Sequence, residues 1–207
     1  MNLSPRGMNM KRVLMLIGIA SLLIVVGVCF NGCGGGGSSS AIAPTPTPKL
    51  PSNLTPVQQA LIDALPPDPG EAGKATLEGI DSDHDGVRDD IQRYIVLNYL
   101  DSAKTRTALT QYAKAVQTTL PEANDKQASL ENEKEVSGAM DCLMYIVGSA
   151  LKAAPVLNML HKELVNTQER KSAYDRYDGQ LSGGVFYAPP VDQRASFCKF
   201  NPNQLED

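Results

Sequence analysis

The sequence predicts an all-α domain: a small irregular helical bundle with one acidic loop and an irregular C-terminal tail. Two observations carry this. Apolar side chains recur at spacings of three and four through successive stretches beyond residue 54, as in helices that bury one face. No stretch alternates polar and apolar residues over enough positions to build a sheet. The chain has 207 residues, 42% of them hydrophobic. That suits one ordinary domain with additions and argues against a disordered chain.

The elements follow in order. Thr55, Pro56 and Gln58 make a capping box with proline at the first helical position. A short helix follows, with Ala60, Leu61 and Ala64 along one side, and Pro66, Pro67, Pro69 and Gly70 end it. A brief helical turn is expected over 71–77. From Asp89 a longer helix carries Ile91, Tyr94, Ile95 and Tyr99. The next carries Ala108, Leu109, Tyr112, Ala113, Val116 and Leu120, and Pro121 stops it. A third stripe runs Val136, Met140, Leu143, Val147, Leu151, and Pro155 is expected to break or kink the chain there. Val156, Leu157, Leu160 and Leu164 form a fourth. Asn166 with Glu169 is expected to cap a fifth, bearing Ala173, Tyr174, Tyr177 and Leu181 before Gly183 and Gly184. The tail 184–207 is interrupted by proline and is expected to wrap the bundle, with 185–187 extended. No internal repeat of 20–50 residues is visible.

Charge is unevenly spread. The whole chain carries −4, whereas residues 1–33 hold Arg6, Lys11 and Arg12 and no acid, so the remainder carries −7. Residues 13–30 hold no charged side chain. A basic start, an apolar run and a small-residue stop form a secretory signal. The stop, Phe30-Asn31-Gly32-Cys33, resembles the lipobox of bacterial lipoproteins, with Gly32 matching the small residue before the cysteine and Asn31 departing from the pattern. The resemblance implies that Cys33 takes a lipid and becomes the new N-terminus. Gly34 follows where an Asp would imply retention in the inner membrane. The resemblance therefore implies a protein of the bacterial cell envelope, lipid-anchored in the outer membrane and facing periplasm or surface. The alternatives are an uncleaved apolar anchor and full secretion. Glycines 34–37, serines 38–40 and the prolines at 44, 46, 48 and 51 make a tether, flexible and then stiffer. The expected organisation is signal peptide 1–33, tether 34–53 and helical domain 54–207.

Of four cysteines, Cys29 and Cys33 fall in the signal segment. Cys142 and Cys198 remain, and in an oxidising compartment they most simply pair. The bridge closes a loop of about 57 residues, worth up to about 4 kcal/mol in the chain-entropy model. The alternative is two buried thiols. Their spacing excludes a CxxC redox pair. His84 and His161 lack the cysteine neighbours of a zinc finger.

One motif carries chemistry. Residues 81–90 read DSDHDGVRDD. Alternating carboxylates at Asp81, Asp83 and Asp85 let one tight loop aim oxygens at a common centre, and Gly86 permits the turn after the third. The carbonyl of Val87 and the carboxylate of Asp89 complete the expected donor set. These are hard oxygen donors, which suit Ca²⁺ over zinc or copper. The loop resembles those of EF-hands, dockerins and bacterial thrombospondin type 3-like repeats. It departs from the full EF-hand at its twelfth position, where Gln92 stands in place of a bidentate acid. That implies a weak site, with Kd on the order of 10⁻⁴–10⁻³ M. The cation is expected to act as a structural clasp at the start of the helix after Asp89. The alternative is a solvated acidic turn. Together with the segment 166–184, the loop also resembles a family of bacterial envelope proteins, a resemblance that implies no activity.

Enzyme signatures are weak. Ser149 and Lys152 match SxxK, but Lys104-Thr105-Arg106 is not the KTG that accompanies it. Gly73-Lys74 lacks the flanking residues of a phosphate loop. His161 reads as a partly buried surface residue, and the acids of 122–135 as a solvated helix face. The net negative charge and the absence of Trp disfavour nucleic acid as a partner. The function expected is a lipid-anchored envelope protein with a calcium-stabilised helical domain. It is expected to be a non-enzymatic binding or structural module, with the membrane and an envelope protein as partners. The alternative is an envelope hydrolase acting on cell wall or glycan, with the calcium loop purely structural.

Overall fold

The computed structural model describes residues 50–186 and 188–206. The expected signal peptide 1–33, with Cys33, and most of the expected tether 34–53 lie outside them. The described residues belong to one compact unit, Ile42–Asp207. They form α1 (Pro56–Asp63), a 3-10 turn (Gly70–Lys74), α2 (Asp89–Asn98), α3 (Ala103–Thr119), α4 (Lys126–Val147), α5 (Ala150–Leu164) and α6 (Gln168–Gln180). Two further 3-10 turns follow (Val191–Phe197 and Pro202–Gln204). There is no strand among the described residues. No helix among them is long and apolar enough to cross a membrane.

Side-chain caps set most helix starts. The Thr55 hydroxyl accepts from the Gln58 amide at 3.2 Å while the Gln58 carboxamide accepts from the Thr55 amide at 2.8 Å. Ser102 caps α3 through the Thr105 amide at 3.1 Å. Asp125 caps α4 through the amides of Gln127 and Ala128. Each satisfies donors that a helix N-terminus leaves open.

The core forms where α2, α3, α4 and α5 turn their apolar faces inward. Ile91 and Ile95 of α2, Leu109 and Val116 of α3, Leu143 of α4, and Leu160 and Leu164 of α5 are fully buried. A smaller cluster under α6 joins Leu120, Ala123, Ala173 and Tyr177. The hydroxyl of Tyr177 donates to Glu133 at 2.6 Å, so one acid of the expected solvated face is held by a buried phenol. By contrast, α1 buries no residue completely, and its expected apolar side is only partly covered.

The tail wraps the bundle as expected. Its turn Val191–Phe197 packs against α4, and Cys198 is bonded to Cys142. Further fastenings join the same surfaces. Arg194 pairs with Asp141 at 3.1 Å, and Lys199 pairs with Glu135. The Gln111 carboxamide donates to the Phe197 carbonyl at 2.8 Å and accepts from the Lys199 amide at 2.9 Å. Gly138 leaves room for the Phe197 ring, since a Cβ there would lie 3.1 Å from it.

Three local expectations are corrected. The break between the third and fourth stripes falls at Gly148, in the left-handed region at φ 84°, and not at Pro155. Leu151 therefore belongs to α5, where it is 89% exposed. Pro155 sits inside α5. The carbonyl that it leaves without a helical donor is that of Leu151, on the solvent face, where water can serve. The cap of α6 is Thr167, whose hydroxyl accepts from the Arg170 amide. Asn166 is employed elsewhere, as described below.

Candidate metal centre

The acidic loop is closed at its base by the Asp89 amide, which donates to the Ile80 carbonyl at 2.8 Å. Between them the carboxylates organise the backbone. Asp81 accepts from the amides of Asp85 (3.2 Å) and Gly86 (3.0 Å), and Asp89 accepts from the Ser82 amide at 2.9 Å. The turn needs two left-handed residues, His84 at φ 58° and Gly86 at φ 88°. Glycine meets that need at no steric cost, whereas a residue like His84 takes it up only where its surroundings hold it there.

This folding brings three of the expected donors together. One carboxylate oxygen each from Asp81, Asp83 and Asp89 lies within 4.8 Å of the others, so the group could hold a metal ion. The Asp85 carboxylate is not in that group. It accepts from the Val87 amide at 2.7 Å, and burial pushes its pKa up. Val87 enters the core through its side chain. Asp83 behaves oppositely: a hydrogen bond from the Gln92 carboxamide (3.0 Å) leads the effects that hold its pKa below the ordinary value.

Side chains from α3 grip the outer rim of the loop. Lys114 donates to the Asp85 carbonyl. The Gln117 carboxamide donates to the Gly86 carbonyl and accepts from the Arg88 amide, both at 3.2 Å. No family model, curated protein or solved structure matches the chain.

Behind the loop lie two buried arginines that the apolar pattern did not announce. Arg88 makes a two-point contact with Asp90, 2.9 Å on each side, and donates to the carbonyls of Leu164 (2.9 Å) and Glu163 (3.0 Å) at the end of α5. Arg170 donates to the carbonyls of Gly73 (2.6 Å), Thr76 (2.9 Å) and Leu77 (3.1 Å) and to the Asn166 side chain (2.7 Å). Asn166 in turn donates to Asp90 at 3.2 Å. Burial, with Arg88 nearby, lowers the Arg170 pKa to about 10, so its guanidinium stays charged at neutral pH. Gly79 makes this possible. At φ 71°, a Cβ there would lie 2.6 Å from Arg88 Cδ and 2.8 Å from an Arg170 terminal nitrogen. The acidic loop is thus bolted to α3 on one side and to the α5–α6 corner on the other.

The enzyme signature at Ser149 and Lys152 has a structural use: the serine hydroxyl caps α5 by accepting from the Lys152 amide. A groove of about 490 Å³ runs between α3, α4 and the tail. Its one lining carboxylate, Glu135, is paired with Lys199.

Proposed function

We propose that the chain is a lipid-anchored protein of a bacterial cell envelope whose helical domain is clasped by Ca²⁺. We propose further that it serves as a binding or structural module. The observation that carries the clasp is the convergence of Asp81, Asp83 and Asp89 within 4.8 Å, with Asp89 opening α2. Three carboxylates are hard donors, and their summed charge favours a divalent cation.

Residues 78–90 hold six acids against Arg88 as the one base. A bound cation would relieve that repulsion and hold the segment before Asp81 against the start of α2. The anchor is supported by the signal segment and by the lipobox resemblance at Cys33.

A calcium titration of the intact chain, followed by calorimetry and by melting curves, tests the clasp. Binding is expected with Kd on the order of 10⁻⁴–10⁻³ M. Calcium at a hundred times Kd should raise stability by about 2.7 kcal/mol. Asp83→Ala should abolish both effects. No heat and no shift up to several millimolar calcium would reduce the loop to an acidic turn.

A further inference from the structure

We propose that the tail carries a proteolytic cleavage site at Val185 and Phe186, for an endoprotease whose specificity pocket takes a large apolar side chain. The cut leaves a two-chain protein, and the Cys142–Cys198 bond holds the C-terminal piece in place.

The segment that follows α6 has no charged residue from Leu181 to Val191. Val185 is 98% exposed and Phe186 49%. No described residue of 182–190 belongs to either core cluster. The backbone is equally free. The Gly184 amide donates to the Leu181 carbonyl, and the Gln193 amide to the Pro190 carbonyl, each at 3.0 Å. Between these two fastenings, no backbone hydrogen bond among the described residues engages 185, 186, 188 or 189.

A protease takes its substrate as an extended strand, so a folded protein is cut where a segment can be drawn out while the rest stays folded. Drawing out this segment lifts the Phe186 ring from Gly184, where a Cβ would stand 2.7 Å from it. It disturbs no core contact. The prolines narrow the position. Pro189 and Pro190 lack an amide N–H and have a fixed φ, and peptide bonds to proline nitrogen resist most proteases. The scissile bonds are therefore upstream, Gly184–Val185 and Val185–Phe186. Hydrolysis adds the hydroxyl of water to the carbonyl carbon and its hydrogen to the amide nitrogen. The new carboxylate and ammonium both lie in solvent.

The cut by itself releases nothing. The downstream piece keeps its disulfide to α4, its Arg194–Asp141 pair and its two bonds to Gln111. Release takes a second event. A dithiol gives two electrons and two protons to the bridge, which becomes two thiols while the dithiol becomes a disulfide. Ion pairs near the surface hold little without it, so the piece then leaves. Lys199 and Phe200 leave with it, and they form one wall of the groove between α3 and α4. The tail is thus a wall that proteolysis and reduction together remove.

The test is limited proteolysis of the intact chain by thermolysin, which cuts ahead of large apolar residues, read by mass spectrometry. The first cut within residues 50–207 should give a fragment that begins at Val185 or Phe186 and separates only after dithiothreitol is added. Cuts within residues 1–49 leave that fragment unchanged. Val185→Asp combined with Phe186→Asp replaces two exposed side chains. It should slow the cut by about tenfold or more and leave the melting curve unchanged. A first cut elsewhere in 50–207, equal cutting of the double variant, or a rate that follows global unfolding in urea would overturn the site. A fragment that separates without reductant, or stays bound after it, would overturn the disulfide as its holder.

Discussion

Arg88 and Arg170 are the largest side chains that the fold buries completely. Each is surrounded by backbone carbonyls, and they are linked through Asp90, which Arg88 holds, and Asn166, which donates to Asp90 and accepts from Arg170. Removing one member of such a set strands the others. Arg88→Met would leave Asp90 without its two-point partner and the end of α5 without a donor. We expect a loss of about 3–5 kcal/mol, read from urea unfolding at constant slope. Gly79→Ala should cost at least about 1–3 kcal/mol from the left-handed backbone alone, and more because the new Cβ meets both guanidiniums. A variant as stable as the wild type in either case would remove the network from the account of the fold. Neither arginine was legible in the sequence. A lone base among acids reads as a surface residue, and apolar periodicity says nothing of a charged group buried by hydrogen bonds to carbonyls. Of the loop residues, Asp81, Asp83 and Asp89 were legible because a two-residue alternation around a glycine dictates local geometry. Gln92 and Lys114 were not, because their contacts depend on how α2 and α3 pack on the loop.

At the scale of elements, helix starts were readable wherever the cap is local, as at Thr55. The α4–α5 boundary was misplaced because proline is a louder signal than Gly148, yet a proline on a solvent face can be accommodated. The position of the tail followed from cysteine arithmetic, and its other fastenings did not. The disulfide closes a loop of 56 residues in separation and should contribute about 4 kcal/mol. A reductant, or the double change C142S with C198S, should lower the melting temperature accordingly. Mass analysis of the native protein should show two protons fewer than the dithiol form. Two titratable thiols in protein taken from its native compartment would contradict the bridge. The α5–α6 contact gives a pH signature. His161 meets Tyr174 edge-on with ring centres 4.4 Å apart, and burial lowers the His161 pKa below 6.5. The unfolded chain therefore takes up the proton first on acidification. Stability from this group is complete above about pH 6.5 and falls as the pH drops towards the folded pKa. His161→Gln should flatten stability between pH 7 and pH 5. A slope unchanged by the substitution would place the titration elsewhere.

For the whole molecule the decisive question is attachment. Beyond residue 33 the chain carries −7, a charge that an anionic membrane surface repels, so surface electrostatics would not hold the domain there. An attachment of the proposed kind would then rest on the N-terminal segment. The twenty residues expected to form a tether would span roughly 25 Å if they behaved as a flexible coil. If the lipobox resemblance at Cys33 is sound, the thiol is the lipid acceptor and cleavage waits on lipidation. Cys33→Ser should then yield a chain of full-precursor mass, with its leader intact and without added acyl mass. The wild type should gain acyl mass and lose residues 1–32. Both are read by mass spectrometry of the membrane fraction. The calcium response should be the same in both, because Cys33 and the acidic loop lie in separate parts of the chain. A cleaved, acylated product from Cys33→Ser would overturn the assignment of Cys33 as the lipid acceptor and leave the calcium clasp to be judged by itself.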